Sequence, residues 1–394
     1  MPGEVNRMDG NERFRQLLYN GNPVVLGSLL AELGRAEAKK LIEECYREQP
    51  ETALVYCAKR AGDGKHRKDG DQLECIKLLL SYGAQINETD NSSRTALHWS
   101  CWNNNEPLST ILLDNGADPS LLDIEGFNCL HMAVSNSALD CVRLVIGRRK
   151  ELINRRGGEN GVTPLLIAVQ KADINVVTSL VTSGADVNCQ EEVSERTPLH
   201  YALYTKKKDL FEYLLLHGAD ITKTDHRGTT IIHRCCTIQD ASFLKQVLKL
   251  GRSFPHSLST HTPLSAPHTA SPLGKALLMG DSEGATPVIV ACQNGNLEQL
   301  TLLVEAGAPV SNKDKFQRCA LHHCVENPAT ECAEYLLRAI PSLLTCADEE
   351  GLTPLHMAVI AGNVPLVKLL LKRGANLQVV DNEKHTVIHW ATGQ

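Results

Sequence analysis

Thr197-Pro198-Leu199-His200 and Thr353-Pro354-Leu355-His356 are the same four residues, and Thr163-Pro164-Leu165 lacks only the fourth. Looser copies begin at Thr52, Thr95, Asn128, Thr230, Thr286, Cys319 and Thr386. Successive starts lie 43, 33, 35, 34, 33, 56, 33, 34 and 33 residues apart, so seven of the nine intervals are 33–35. Self-similarity at that period marks a repeat array. A second signal keeps phase with the first. Gly116-Ala117, Gly184-Ala185, Gly218-Ala219, Gly307-Ala308 and Gly374-Ala375 each begin 21 residues after the first residue of their repeat. Gly83-Ala84 comes later in its own repeat, and the units from Asn128 and Cys319 lack the glycine.

The residue types account for one unit. Thr caps a helix N-terminus, and Pro is tolerated in the first turn, where its missing N–H costs nothing. Leu and the Ala that follows start a short helix with a small-residue face. A second helix carries a Leu/Val stripe, as in Tyr213-Leu-Leu-Leu216 and Val367-Lys-Leu-Leu-Leu371. Gly then suits the left-handed residue just past a helix end, and Asp, Asn and Gly suit the turn onward. Two short helices cannot bury both their faces alone, so each unit must stack on its neighbours.

From Thr52 onward this pattern resembles the ankyrin-repeat family. The resemblance implies an all-α fold: an ankyrin-repeat solenoid of stacked helix-turn-helix units with β-hairpin-like loops. It also implies a protein-binding concave groove, lined by the hairpin tip one residue before each Thr and by helix positions seven and eight after it. Here those positions hold the tips Arg94, Phe127, Arg196 and Arg318 and the helix residues Trp102, Asn103 and Tyr204. Phe316 lies beside Arg318. Tyr, Trp and Arg dominate interface hot spots, which makes these eight the expected protein-binding residues. The recurrent His (His98, His131, His200, His233, His322, His356, His389) is, by the same resemblance, a structural hydrogen-bonding residue between neighbours. Trp99 and Trp390 follow it and are expected inside the inner helix packing.

The boundaries follow. Residues 1–49 read as a helical N-terminal cap or divergent repeat, on apolar stripes that include Phe14, Leu18, Leu30 and Ile42. Repeats occupy 50–251, with a polar, Gly-rich loop inserted at 60–72. Residues 252–281 read as a flexible Ser/Thr/Pro/His-rich insertion, and 282–394 as further repeats. The last repeat opens at Thr386 and stops at Gln394 without its second helix, so the chain reads as a fragment or a shortened form, the fragment being favoured. Its 394 residues exceed the roughly 250–300 at which one compact core stops growing, whereas an array has no such limit.

The chemistry that the sequence lacks narrows the function. No phosphate-binding Gly-rich loop, nucleophile elbow, His-Glu-x-x-His or Cys-x-x-Cys pair occurs. Cys319-Ala-Leu-His322-His323-Cys324 has metal-ligand residue types, but Cys319 stands at the cap position, His322 at the recurrent His and Cys324 where a small Ala packs. No catalytic residue, cofactor or metal is therefore assigned. The net charge of −6 argues against nucleic acid or an anionic membrane surface as partner. Fourteen unpaired cysteines suit a reducing compartment. The expected protein is a monomeric, non-enzymatic adaptor or scaffold, cytoplasmic or nuclear, that binds a partner protein. Two alternatives remain open: a targeting module of a larger enzyme or channel, and a nuclear regulator that masks a transcription factor.

Overall fold

The computed structural model describes residues 10–45, 51–61, 69–251 and 271–392. They are mostly helical and fall into two compact units, Met1–Glu192 and Val193–Gln394. No described helix is long and apolar enough to cross a membrane.

Each repeat begins at the expected residue. Thr52, Thr95, Asn128, Thr163, Thr197, Thr230, Thr286, Cys319 and Thr353 are all helix N-caps in extended backbone. Pro follows the cap at Pro164, Pro198, Pro287 and Pro354, where the helix has no partner for an N–H. In the first unit the inner helices Ala53–Arg60, Ala96–Trp102, Cys129–Ser135 and Pro164–Gln170 pack in succession. The outer helices Asp69–Ser81, Glu106–Asp114, Leu139–Arg148 and Ile174–Thr182 lie on them. The second unit repeats this from Pro198–Thr205 to Pro354–Ile360, and Val387–Thr392 packs on the last of these. Gly116, Gly184, Gly218, Gly307 and Gly374 all have φ between 90° and 101°, the left-handed C-terminal stop read from the sequence. Successive repeats meet through hairpins closed by single bridges, such as Thr89 with Thr95 and Thr224 with Thr230.

The ends of the expected segments shift. The N-terminal segment forms Gly10–Asn20 and Pro23–Glu44, the second bent at Gly34 (φ 74°). Phe14, Leu18, Leu30 and Ile42 are buried there. Residues 62–68 lie outside the described part, and helix Asp69–Ser81 already occupies the end of the expected 60–72 loop. Residues 252–270 also lie outside it, but the expected insertion is too long at its far end. Ser271 caps helix Pro272–Leu278 through its hydroxyl, which accepts from the Gly274 amide at 2.9 Å. Leu273, Ala276 and Leu277 are buried, and Leu273 closes on Gly251, where a Cβ would meet it at 3.5 Å. Three apolar residues with a bare glycine to pack on are enough to order a turn that composition reads as loop.

Candidate protein-binding face

Seven of the hairpins are each organised by one carboxylate. Asp90, Asp123, Asp225, Asp281, Asp314, Asp348 and Asp381 stand five residues before their cap. The Oδ1 of each accepts from the amides two and four residues on, at 2.8–3.1 Å. The residue between those amides turns left-handed, which Gly228 and Gly351 accept without a Cβ clash.

Oδ2 is then left for another donor. Trp99 Nε1 donates to Asp90 at 3.0 Å, Arg94 Nε to Asp123 at 3.0 Å and Trp390 Nε1 to Asp381 at 2.8 Å. Arg318 and His323 both reach Asp314, and Arg234 forms a close ion pair with Asp225. Burial works against the charge of Asp225, but hydrogen bonds from Arg234 and Thr229 outweigh it and hold the carboxyl down at about 2.

Behind the hairpin sits the recurrent histidine. Nδ1 of His98, His233 and His322 accepts the backbone N–H of its own cap residue at 3.1 Å. The proton is therefore on Nε2, which donates to a carbonyl of the following hairpin: Phe127 at 3.3 Å, Ala285 at 3.0 Å and Leu352 at 3.1 Å. These three rings tie their own inner helices to the next repeat. Burial lowers their pKa, to about 4 at His131 and His200, so they stay neutral. The metal-like cluster dissolves into the same scheme. Cys319 Sγ contacts His322 Nδ1 at 3.1 Å, His323 Nε2 binds Asp314 at 2.9 Å and Cys324 is buried.

The eight expected site residues divide. Arg196 stacks on Tyr204 at 5.1 Å and Arg318 on Phe316 at 4.6 Å, two arginine–aromatic pairs. Tyr204 is 50% exposed and Phe316 38%. Arg94 does not meet Trp102. It lies over Trp99 at 5.5 Å and pairs with Asp123 and Glu125. Trp102 is half-buried, and its carbonyl accepts from Asn136. Phe127 turns onto Gly157 and Gly158, where added Cβ atoms would meet its ring at 3.0 and 2.8 Å. Asn103 has a fold role: its amide donates to the carbonyls of Ala58, Lys59 and Ala61, closing the end of the preceding inner helix.

Trp99 and Trp390 are corrections of another kind. They leave the helix core for the hairpin side, drawn by the Asp90 and Asp381 carboxylates that their indole N–H groups satisfy. Trp390 is 38% exposed, and Trp99 is half-buried between Lys59, at 4.7 Å, and Arg94. The carboxylate five residues before seven of the caps is visible in the sequence as a recurrent Asp; what it binds is not.

The ankyrin-repeat (3 copies) family model matches residues 18–123, 110–191, 130–225, 165–255 and 264–343, and the single-repeat model matches 350–382. Among curated proteins, the chain is 24% identical to human transient receptor potential cation channel subfamily A member 1 over 380 residues, 81% of this chain and 34% of the channel. It is 31% identical to the chicken nuclear factor NF-kappa-B p105 subunit over 192 residues, 46% of this chain and 19% of that protein. The chain thus spans about a third of the first relative and a fifth of the second. The solved ankyrin repeat domain of Bcl-3 is 27% identical, with a TM-score of 0.48, over 59% of this chain and 95% of that one.

Proposed function

Because the chain belongs to the ankyrin-repeat family, whose repeats serve protein interaction, we propose that it holds a partner protein on its hairpin tips and the adjoining inner-helix surface. The observation that carries this reading is the pair of exposed arginine–aromatic stacks, Arg196 with Tyr204 and Arg318 with Phe316. Both rings stay exposed to solvent beside their guanidinium groups. A flat aromatic surface stiffened by a stacked guanidinium is the kind of group that anchors an interface at low entropic cost. Arg94, Trp102 and Phe127 form a secondary contact region in the first unit, with Trp99 added to it.

The role is that of an adaptor or scaffold rather than a catalyst. The recurrent histidines and carboxylates are engaged in capping and hairpin closure, and thirteen of the fourteen cysteines are buried. The channel relative favours a second reading, in which the array is the targeting module of a larger protein. The p105 match supports the nuclear-regulator alternative and a cytoplasmic or nuclear setting.

The test is an affinity purification that compares the parent chain with Tyr204→Ala/Phe316→Ala, followed by titration of any retained protein. The double variant should melt at the parent temperature and bind at least about 2 kcal/mol more weakly, the scale of an interface hot spot. Equal affinity for a verified partner would remove these pairs from the site.

A further inference from the structure

The repeats set an internal standard for burial, because one position recurs at a fixed distance past each cap. The residue two past the cap is 0–2% exposed in every repeat from Thr52 to Thr353, yet Ile388, two past Thr386, is 53% exposed. Fourteen past the cap, Phe211, Leu300 and Ala333 are fully buried, whereas Val367 is only half-buried. Eighteen past it, Leu215 and Leu337 are buried; twenty-four past it, Ile221, Val310 and Leu343 are buried. Their counterparts Leu371 and Leu377 are each 39% exposed. Val387–Thr392 is the last described element, so four positions that the array elsewhere buries form an apolar face here. A terminal repeat would ordinarily turn a polar face outward.

The rim of this face says what would cover it. Outer helix Val364–Lys372 holds two lysines and no carboxylate, and Arg373 is its C-cap. Lys368 and Lys372 are exposed, one turn apart, on either side of Leu371. Lys368 stands fifteen past its cap. In the Thr230 repeat that position is Lys245, whose Nζ lies 2.6 Å from Glu298, in the first turn of the next outer helix, Leu297–Glu305. The array thus shows how a helix docks at this register: a leucine stripe inward and a carboxylate in its first turn.

We propose that this end of the array is a second docking surface, which takes an acidic amphipathic helix of a partner protein. The apolar stripe of that helix would cover Val367, Leu371, Leu377 and Ile388, and its acidic first turn would meet Lys368 as Glu298 meets Lys245. A second copy of this chain fits less well, because an isologous contact would bring two lysine-rimmed faces together. An anionic membrane would also answer the lysines, but the four apolar residues hold the register positions that the array closes with protein. None of these residues belongs to the Arg196–Tyr204 or Arg318–Phe316 pairs, so the surface goes beyond the hairpin tips and stands without them.

The probe is a fluorescent, end-blocked peptide of residues 295–307, which contains Leu297–Glu305, titrated with the full chain at low ionic strength and read by anisotropy. Saturable binding is expected. Lys368→Glu with Lys372→Glu should weaken it about tenfold and keep the parent melting temperature, since both side chains are exposed. A peptide carrying Glu298→Lys and Glu305→Lys should prefer that charge-reversed chain to the parent. Leu371→Ser should weaken binding of the unaltered peptide, whereas Tyr204→Ala/Phe316→Ala should bind it as the parent does, whatever the fate of the hairpin tips. A peptide that never saturates the chain, or that ignores the lysine substitutions, would overturn the proposal. So would a dimer of the chain that Leu371→Ser dissolves, or uptake by phosphatidylserine vesicles that the peptide cannot displace.

Discussion

The hairpins of Asp225 and Asp348 share a backbone and differ in what completes them. In both, Oδ1 accepts two amides and a left-handed glycine follows, Gly228 in one and Gly351 in the other. In both, a cap threonine and its histidine stand behind: Thr230 with His233, and Thr353 with His356. The fourth residue after the cap separates them. Arg234 reaches back to Asp225, whereas Met357 has nothing to offer Asp348, whose second oxygen meets no donor among the described residues. One side-chain position thus decides whether the Asp225 and Asp348 hairpins are closed from within their own repeat. Trp99, His323 and Trp390 occupy the same position and close their hairpins too.

The shared half of the comparison rests on neutral buried histidines, and acid should break it first. A histidine held at about 4 in the fold, against an ordinary value near 6.5, favours the folded chain fully above pH 6.5. That contribution is lost as the pH falls toward 4. His131 and His200 should each forfeit on the order of 3 kcal/mol across that window. Urea midpoints measured from pH 7.5 to 4.5 should fall steeply below 6.5. A flat profile would mean that these rings are protonated in the fold.

The differing half calls for a substitution. Asp225→Ala strands Arg234 and two amides, and breaking a buried pair should cost about 3 kcal/mol. Asp348→Ala strands the amides alone and should cost about 1 kcal/mol, the size of an ordinary net hydrogen bond. The two urea midpoints decide it, and equal losses would show that Arg234 adds nothing to its hairpin.

The sequence exposed the caps and the glycine stops because each is a local device: its cause lies within four residues of its effect. Hence Thr52, Asn128 and even Cys319 begin helices where the period places them. Contacts between repeats were not legible in the same way. Helical spacing sets the face on which Trp99 lies but not that Asp90, nine residues back, waits for its indole. Asn103 reads as a groove-lining helix residue because nothing local shows that the carbonyls at the end of the preceding inner helix need a donor. Helix Pro272–Leu278 was missed because its stability comes from Gly251 and not from its own brief apolar run. At the candidate site the stacked pairs were foreseeable from residue type, whereas the diversion of Arg94 to Asp123 needed the neighbouring hairpin.

The finest test moves the difference from one hairpin to the other. Met357→Arg places a guanidinium where Arg234 stands in the Asp225 repeat. If the position alone decides closure, the new side chain should bind Asp348 Oδ2. A partly exposed pair of this kind stabilises by up to about 1 kcal/mol, less in high salt. Met357→Leu controls for the lost thioether, because it keeps the volume and adds no donor. Thermal unfolding should therefore rank Met357→Arg above Met357→Leu at low ionic strength, and the gap should narrow as salt is added. If the arginine variant ranks no higher, the Asp348 hairpin differs from that of Asp225 in more than its missing donor. If it does rank higher and also weakens a verified partner, then the open carboxylate is part of what the partner grips, because the graft has filled it from within.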